Sequence, residues 1–357
     1  MNDQQTLNQF DEWLVDESPY AAIVMRQWLD PVEGKGAVIF PPTYAKPEGK
    51  REDEWLGYNM DRFENGMKVC QIDSVGSQAN RMEPIFKNEP YSKLVPQITI
   101  QAGDREINLL DAGHRAADAI VRFSDLKEEL KKAFLSVREK GNAEPLAKIA
   151  PTSIVFGSWD SRETQVKLPR VIRSVVRAYD VEILHRSAQY IPPIDYKDEK
   201  LIDKAEGTKN DDALSREGLS HAPATWTHGG VIVRKEIRRD AALNLAAVRA
   251  LKAEPPEGTL ALRRYILGLS LVCFTAPQET FLREGCQLVP DPEKPAEWEI
   301  ASHHGQRDPF SLSHEKAREY AVAAASAFGV GASRIARFDK KAANDALKKK
   351  DKKSKEE

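Results

Sequence analysis

The sequence predicts an α+β fold, a ferredoxin-like core carrying large helical and loop insertions. Strand-length and helix-length runs interleave along the chain, and long polar stretches without periodicity interrupt them. The longest apolar run, Tyr265 to Ala276, is too short to cross a bilayer and reads as part of one buried helix. At 357 residues the chain can build a sizeable core without disulfide or metal support.

The elements follow in order. Residues 1–19 hold five acids and no base, the opposite of a signal peptide, and Leu7 to Leu14 reads as a short acidic helix. The core with its insertions spans 20–339. Tyr20 to Trp28 and Ala37 to Phe40 are β-capable, whereas 43–65 is polar and turn-rich, a loop insertion. Met67 to Val75 alternates as a strand; Gly76 breaks it, and Ser77 stands where it can cap a helix through Arg81. Ile98 to Ile100 and Ile107 to Leu110 form a hairpin around Gly103-Asp104. Residues 111–150 read as a helical insertion, with Asp111 capping a helix to Phe123 and Ser124-Asp125 restarting one through Val137.

Thr152 to Trp159 is expected as a strand. Val171 to Leu184 alternates, and its β-branched content favours a strand over a helix with Arg170, Arg173 and Arg177 on one face. The polar segment 192–230 is too long for an ordinary connection. Val231 to Arg238 is a strand, Asp240 the cap of a helix from Ala241 to Ala253, Leu260 to Thr275 a buried helix, and Cys286 to Val289 a closing strand. The tail, 340–357, sets eight lysines against four acids with few apolar residues and is expected to be disordered.

Composition narrows the function classes. Three scattered cysteines (Cys70, Cys273, Cys286) without a CxxC pair argue against zinc ribbons and a secreted disulfide framework and fit a reducing cytoplasm. The net charge is −2, yet its distribution is uneven. Arg162 to Arg186 carries six Lys/Arg against three acids and Val231 to Lys252 six against two, while 191–218 carries eight acids against five bases. A folded molecule can therefore present a basic face, although solvated faces also vary in charge.

No phosphate-binding loop, nucleophile elbow or HExxH helix is present, and no motif calls for a cofactor or metal. Asp111, His114 and Asp118 would share a helix face and could hold a divalent ion; the alternative, which the frequency of Asp caps favours, is an N-cap and a surface histidine. The arginines say more. Arg170, Arg173 and Arg177 with Tyr179, and Arg234 and Arg238 with Lys235 and Arg239 opposite, join guanidinium forks to an aromatic ring. Such strands are a platform for single-stranded RNA.

Several longer strings carry a resemblance: VGSQANRMEP (75–84), LLDAGHRAADAIVR (109–122), FGSWDSR (156–162), KLPRVIRSVVRAYDV (167–181), LSREGLSHAPA (214–224) and GGVIVRKEIRRDAALNLAAVR (229–249). Together they resemble the backbone subunit of the type I-U (I-G) CRISPR Cascade effector complex, the GSU-type family of the RAMP superfamily. The resemblance covers roughly Tyr20 to Val289. It implies a modified RNA-recognition fold, a helical filament of copies along a CRISPR RNA, and presentation of the spacer to invading DNA. The implied partners are that RNA, target DNA through the guide, other copies, a large subunit, a repeat-processing capping subunit and a recruited helicase–nuclease; no membrane is implied, and the subunit itself is not the nuclease. The positions this points to for RNA contact are Ser77, Gln78, Asn80, Arg81, His114, Arg115, Arg162, Arg170, Arg173, Arg177, Tyr179, Arg216, His221, Arg234, Lys235 and Arg238. A base-wedging thumb would come from 192–230 or, second, from 43–65. The alternative within the superfamily is a metal-dependent endoribonuclease using Asp111 or Asp211/Asp212.

Overall fold

The computed structural model describes residues 3–49, 55, 57–202 and 213–353. The chain opens with α1 (Asp3–Asn8) and α2 (Asp11–Leu14), whose Leu7, Phe10, Trp13 and Leu14 are buried in the main core. The acidic N-terminal segment is thus packed on the body, and Arg264 binds Asp11 at 2.8 Å. Next come β1 (Tyr20–Pro31), β2 (Val38–Ile39), β3 (Met60–Arg62), β4 (Lys68–Asp73) and α3 (Val75–Met82). The cap of α3 is Ser74 rather than Ser77: the Ser74 hydroxyl accepts the Ser77 N–H at 3.1 Å. The expected hairpin forms as β5 (Ile98–Ala102) and β6 (Arg105–Asn108).

The helix expected from Asp111 does not form. Two 3-10 turns, Leu109–Asp111 and Arg115–Ala117, precede α4 (Ala119–Arg122), and Asp118 is its cap. Arg115 at φ +54° breaks the run. The helical insertion continues through α5 (Lys127–Lys140), α6 (Glu144–Ile149) and α7 (Thr152–Val155). This last helix replaces the expected strand at Thr152 to Trp159. Its three β-branched residues, Thr152, Ile154 and Val155, look strand-like, but they are buried with Ser153 in the helical layer, and Pro151 opens the turn. Tertiary packing overrides local propensity there.

Two long strands, β7 (Ile172–Tyr190) and β8 (Ala222–Asn244), lead to α8 (Leu245–Arg249) and α9 (Thr259–Thr275). The helix expected from Asp240 is a correction: β8 runs on to Asn244, because β1 and β7 hold it from both sides, and the cap is Asn244, accepting the Ala247 N–H at 3.0 Å. Then follow β9 (Phe281–Arg283), β10 (Cys286–Pro290), β11 (Glu297–Ser302), β12 (Arg307–Pro309), α10 (His314–Phe328), β13 (Arg334–Arg337) and α11 (Lys340–Lys353). The tail was expected to be disordered, and 340–353 is instead helical. Asp339 caps it by accepting the Ala342 N–H at 2.9 Å, and Ala342, Ala343, Ala346 and Leu347 are strong helix formers.

Among the described residues, ten strands join one sheet in the main order β12-β11-β1-β8-β7-β4-β3, every pair antiparallel. A second sheet, β13-β5-β6, is separate. The large sheet is two-sided. Ile23, Met25, Ile172, Ser174, Val176, Ala178, Ile237, Ala241 and Leu243 are buried on one face, towards α3 and α9. The alternate residues, among them Arg26, Trp28, Arg173, Arg177, Tyr179, Glu236, Arg238 and Asp240, are half-buried or exposed on the other. That alternation is the period of two in physical form.

Beyond the sheet β7 and β8 continue as a two-stranded arm, paired out to Tyr190↔Ala222. The segment expected at 192–230 therefore begins after Tyr190 and rejoins β8 at Ala222; residues 203–212 of it lie outside the described residues. The arm leaves the sheet at Gly230, whose φ is +83°. A Cβ there would lie 2.7 Å from the Ile39 carbonyl oxygen, while the Gly230 N–H donates to the Tyr58 hydroxyl at 3.1 Å. The described ends of 43–65 thus dock on the arm's base. Gly230→Ala should cost roughly 1–3 kcal/mol for the strained backbone alone, read as a lower denaturant midpoint.

Candidate nucleic-acid interface

The helix-free face of the sheet divides into a charge-balanced half and a cationic half. On the balanced side, Arg26 lies 3.7 Å from Glu297, and Arg307 lies 3.1 Å from Glu299. Arg238 is held on three sides: by Asp240 at 2.8 Å, by Glu236 at 2.9 Å, and by the Tyr179 hydroxyl, to which it donates at 3.1 Å. Its guanidinium also lies over the Tyr179 ring, and Trp28 donates to Glu236 at 2.7 Å. The expected phosphate-binding pair is thereby spoken for, since Arg234 is likewise bound to Glu182 at 2.7 Å. Lys235 is exposed and free of an ion pair among the described residues.

The cationic half follows β7. Arg177 stands directly across from Arg238, a like-charge pairing that would destabilise the sheet if both charges were uncompensated. The two carboxylates on Arg238 relieve that pairing and leave Arg177 available. Among the described residues Arg170, Arg173 and Arg177 make no salt bridge or hydrogen bond; Arg170 and Arg173 are exposed and Arg177 half-buried. Arg173 and Arg177 are about 13 Å apart along the strand, the span of several nucleotides' backbone.

Each end of this row opens into a cleft with a tryptophan. At the start of β7 a cleft of about 360 Å³ is lined by His114, Gly157, Trp159, Lys167 and Arg170. Trp159 is 58% exposed, with Lys167 5.7 Å from its ring centroid. A tight loop presents the pair. Asp160 accepts from the Thr164 N–H and hydroxyl, at 2.8 and 2.7 Å, and Trp159 bridges Lys167 across it. Burial alone would raise the Asp160 carboxyl, but those hydrogen bonds outweigh it and hold it below its ordinary range. Gly157 at φ +76° is required here, because a Cβ would meet the Arg170 side chain at 2.8 Å and the Leu168 carbonyl at 3.1 Å. Arg162 is exposed on the same loop. At the other end Arg177 borders a second cleft with Trp55, Tyr58 and Gln71.

The remaining expected positions have other tasks. Gln78 is buried, donating to Asp73 at 2.7 Å and accepting from Ser174 at 2.8 Å, which ties α3 to β4 and β7. Arg81 is bound to Asp73 at 3.1 Å and donates to the Leu282 carbonyl at 2.6 Å. The Ser77 hydroxyl lies 3.0 Å from that of Ser74, and Asn80, on the exposed side of α3, accepts from Arg115 at 3.3 Å. Arg115 is itself buried, 2.7 Å from Glu83 and over the Phe156 ring. Exposed Arg216, and His221, 3.4 Å from Gln189, belong to the arm region, away from the β7 row.

Asp111, His114 and Asp118 do not share a helix face. Asp111 pairs with Lys87 at 2.5 Å, and Asp118 accepts the N–H groups of His114 and Ile120. Asp211 and Asp212 lie outside the described residues. Sequence reasoning missed Trp159 and Lys167 as site residues. The signal was available: a tryptophan in the Gly/Ser/Asp turn FGSWDSR has no core to fill.

A ladder of guanidinium groups without ion pairs among the described residues, with exposed Trp159 at one end and half-buried Trp55 at the other, suits a flexible polyanion with planar bases. Residues 23–183 match the family model described as CRISPR-associated protein GSU0053, less than half of the chain, and the match supports a CRISPR-associated protein. The matched span includes the β7 arginines and the Trp159 cleft; Arg216, His221, Arg234, Lys235 and Arg238 lie beyond it. No curated protein matches the chain. No helix among the described residues is long and apolar enough to cross a membrane.

Proposed function

We propose that this chain is the CRISPR RNA-binding backbone subunit of a type I-U/I-G Cascade complex, oligomerising along the guide and presenting the spacer to invading DNA. The observation that carries the reading is Arg173 and Arg177 on the open sheet face with Arg170 just before β7, all three without an ion pair among the described residues and next to the cleft of Trp159 and Lys167. Sequence recognition in such a complex is delegated to base pairing, so the protein needs phosphate contacts and stacking rather than base readout.

Two further features support it. The spatial order β11-β1-β8-β7, with α3 between β1 and β7 and α9 between β8 and β11 in the chain, fits a modified RNA-recognition (ferredoxin-like) core with β4 and β3 added at one edge. The arm formed by the distal halves of β7 and β8 suits the thumb of that superfamily, in preference to 43–65. On this reading the partners are a large subunit, a repeat-processing capping subunit, neighbouring copies and a recruited helicase–nuclease. On this reading the subunit itself is not the nuclease; that Asp111 is paired with Lys87 and Asp118 caps α4 supports it for those two carboxylates.

The test is to purify the protein expressed with a CRISPR array and sequence the RNA it carries. Spacer-containing RNAs of one repeat-derived length class are expected, intact after incubation with Mg²⁺ or Mn²⁺. Random RNA fragments, or metal-dependent cleavage lost in Asp111→Ala, would contradict the reading and favour the endoribonuclease.

A further inference from the structure

On the helix-covered side of the sheet, remote from the β7 arginine row, lies a second kind of cavity. It measures about 410 Å³, within the range of small-molecule sites, and its walls include Met25, Leu288, Phe274 and Trp298. The cation among its lining residues is Arg239, which projects from β8 on the face opposite Arg238. Arg239 is 4% exposed. Its Nε donates to the Ser174 hydroxyl at 2.9 Å and one terminal nitrogen to the Gln27 side-chain oxygen at 3.4 Å, both neutral acceptors. The other terminal nitrogen is enclosed and has no acceptor. No carboxylate pairs with it among the described residues; the nearest acids of this region are committed elsewhere, Asp73 to Arg81 and Arg283, and Glu279 to Arg81.

A buried guanidinium without a counter-ion is costly, and here burial pulls Arg239 down from its ordinary range to about 10. Proteins offset such a charge with an anion or eliminate it. We propose that this cavity binds a small amphipathic carboxylate, its carboxylate on the Arg239 fork and its hydrocarbon against Met25, Leu288, Phe274 and Trp298. The guanidinium keeps one terminal nitrogen without an acceptor, a donor that a carboxylate satisfies, and the apolar side chains offer the hydrocarbon its contact; Gln27, Gln78, Gln278 and Glu279 also line the cavity, Glu279 being paired with Arg81. The site is independent of RNA binding, because Arg239 and the β7 row point to opposite faces of the sheet.

Octanoate and octanol, titrated separately into the full chain below their micellar range and followed by calorimetry, are the probes. Octanoate is expected to bind at least tenfold more tightly than octanol. Arg239→Met should abolish that preference, and because it removes an uncompensated buried charge the variant should melt no lower than wild type. Ala296→Trp, at an exposed position on the cavity rim, should block both probes while leaving Arg239 in place. Equal binding of the two probes, no binding of either, or undiminished octanoate binding by Arg239→Met would overturn the proposal. A fall in melting temperature in Arg239→Met with no octanoate binding by wild type would make Arg239 a structural residue of the sheet.

Discussion

Replacing Arg170, Arg173 and Arg177 together with alanine should lower affinity for single-stranded RNA by roughly a thousandfold or more, with the melting temperature nearly unchanged. Each arginine contributes a charge-assisted phosphate contact worth about 1.5–3 kcal/mol. None of the three makes a salt bridge or hydrogen bond within the described chain, so their loss costs little folding energy. The dependence of log affinity on log salt should become shallower by about two, three lost contacts at ~0.7 each for single strands. Arg234→Ala and Arg238→Ala should do far less to RNA, because Glu182, Glu236 and Asp240 already neutralise them. Fluorescence anisotropy over a salt series, with thermal melts of each variant, separates the two groups. A large affinity loss in Arg238→Ala with none in the triple variant would invert the assignment.

Arg115→Ala should destabilise the fold and spare RNA binding by the protein that remains folded. Its guanidinium lies 2.7 Å from Glu83, both residues being buried, and breaking such a pair costs about 3–5 kcal/mol. The cost depends on pH. Burial pushes the Glu83 carboxyl up to about 7 from its ordinary 4.5, against the pull of Arg115. The folded state then holds this proton more tightly than the unfolded chain. Glu83's contribution is therefore fully present below about 4.5 and is lost as pH rises through about 7. Urea titrations at pH 5 and pH 8 should show Arg115→Ala costing more at pH 8, where the buried Glu83, without its partner, must either ionise unpaired or take up a proton from solution. Glu83→Gln should remove that group's fall in stability between the two pH values. A pH-independent cost would show that Glu83 does not titrate in this window.

How much of this was legible in the residues differs by element. The alternation in Val171 to Leu184 gave β7, because one face is packed and the other wet. The continuous apolar run of Leu260 to Thr275 gave α9. The continuation of β8 to Asn244 was hidden, since alanines and leucines after Asp240 prefer a helix and only pairing with β1 and β7 overrides them. The alanine-rich α10, the half-buried β11 and the exposed β12 gave no strong periodic signal and went unread. At the site, the sequence identified the arginines but could not sort them. Arg81, Arg115, Arg234 and Arg238 each have a carboxylate folded against them, which Arg170, Arg173 and Arg177 lack among the described residues. That carboxylate is distant in sequence for Arg115 and Arg234, and adjacent but undecidable for Arg238.

The most direct test of the central claim is to photo-cross-link bound CRISPR RNA to the protein and map the modified peptides. Adducts are expected in the span 157–179, with Trp159 and Tyr179 as the reactive rings, and they should disappear in the triple arginine variant. Adducts confined to other surfaces, with 157–179 unmodified, would contradict the account.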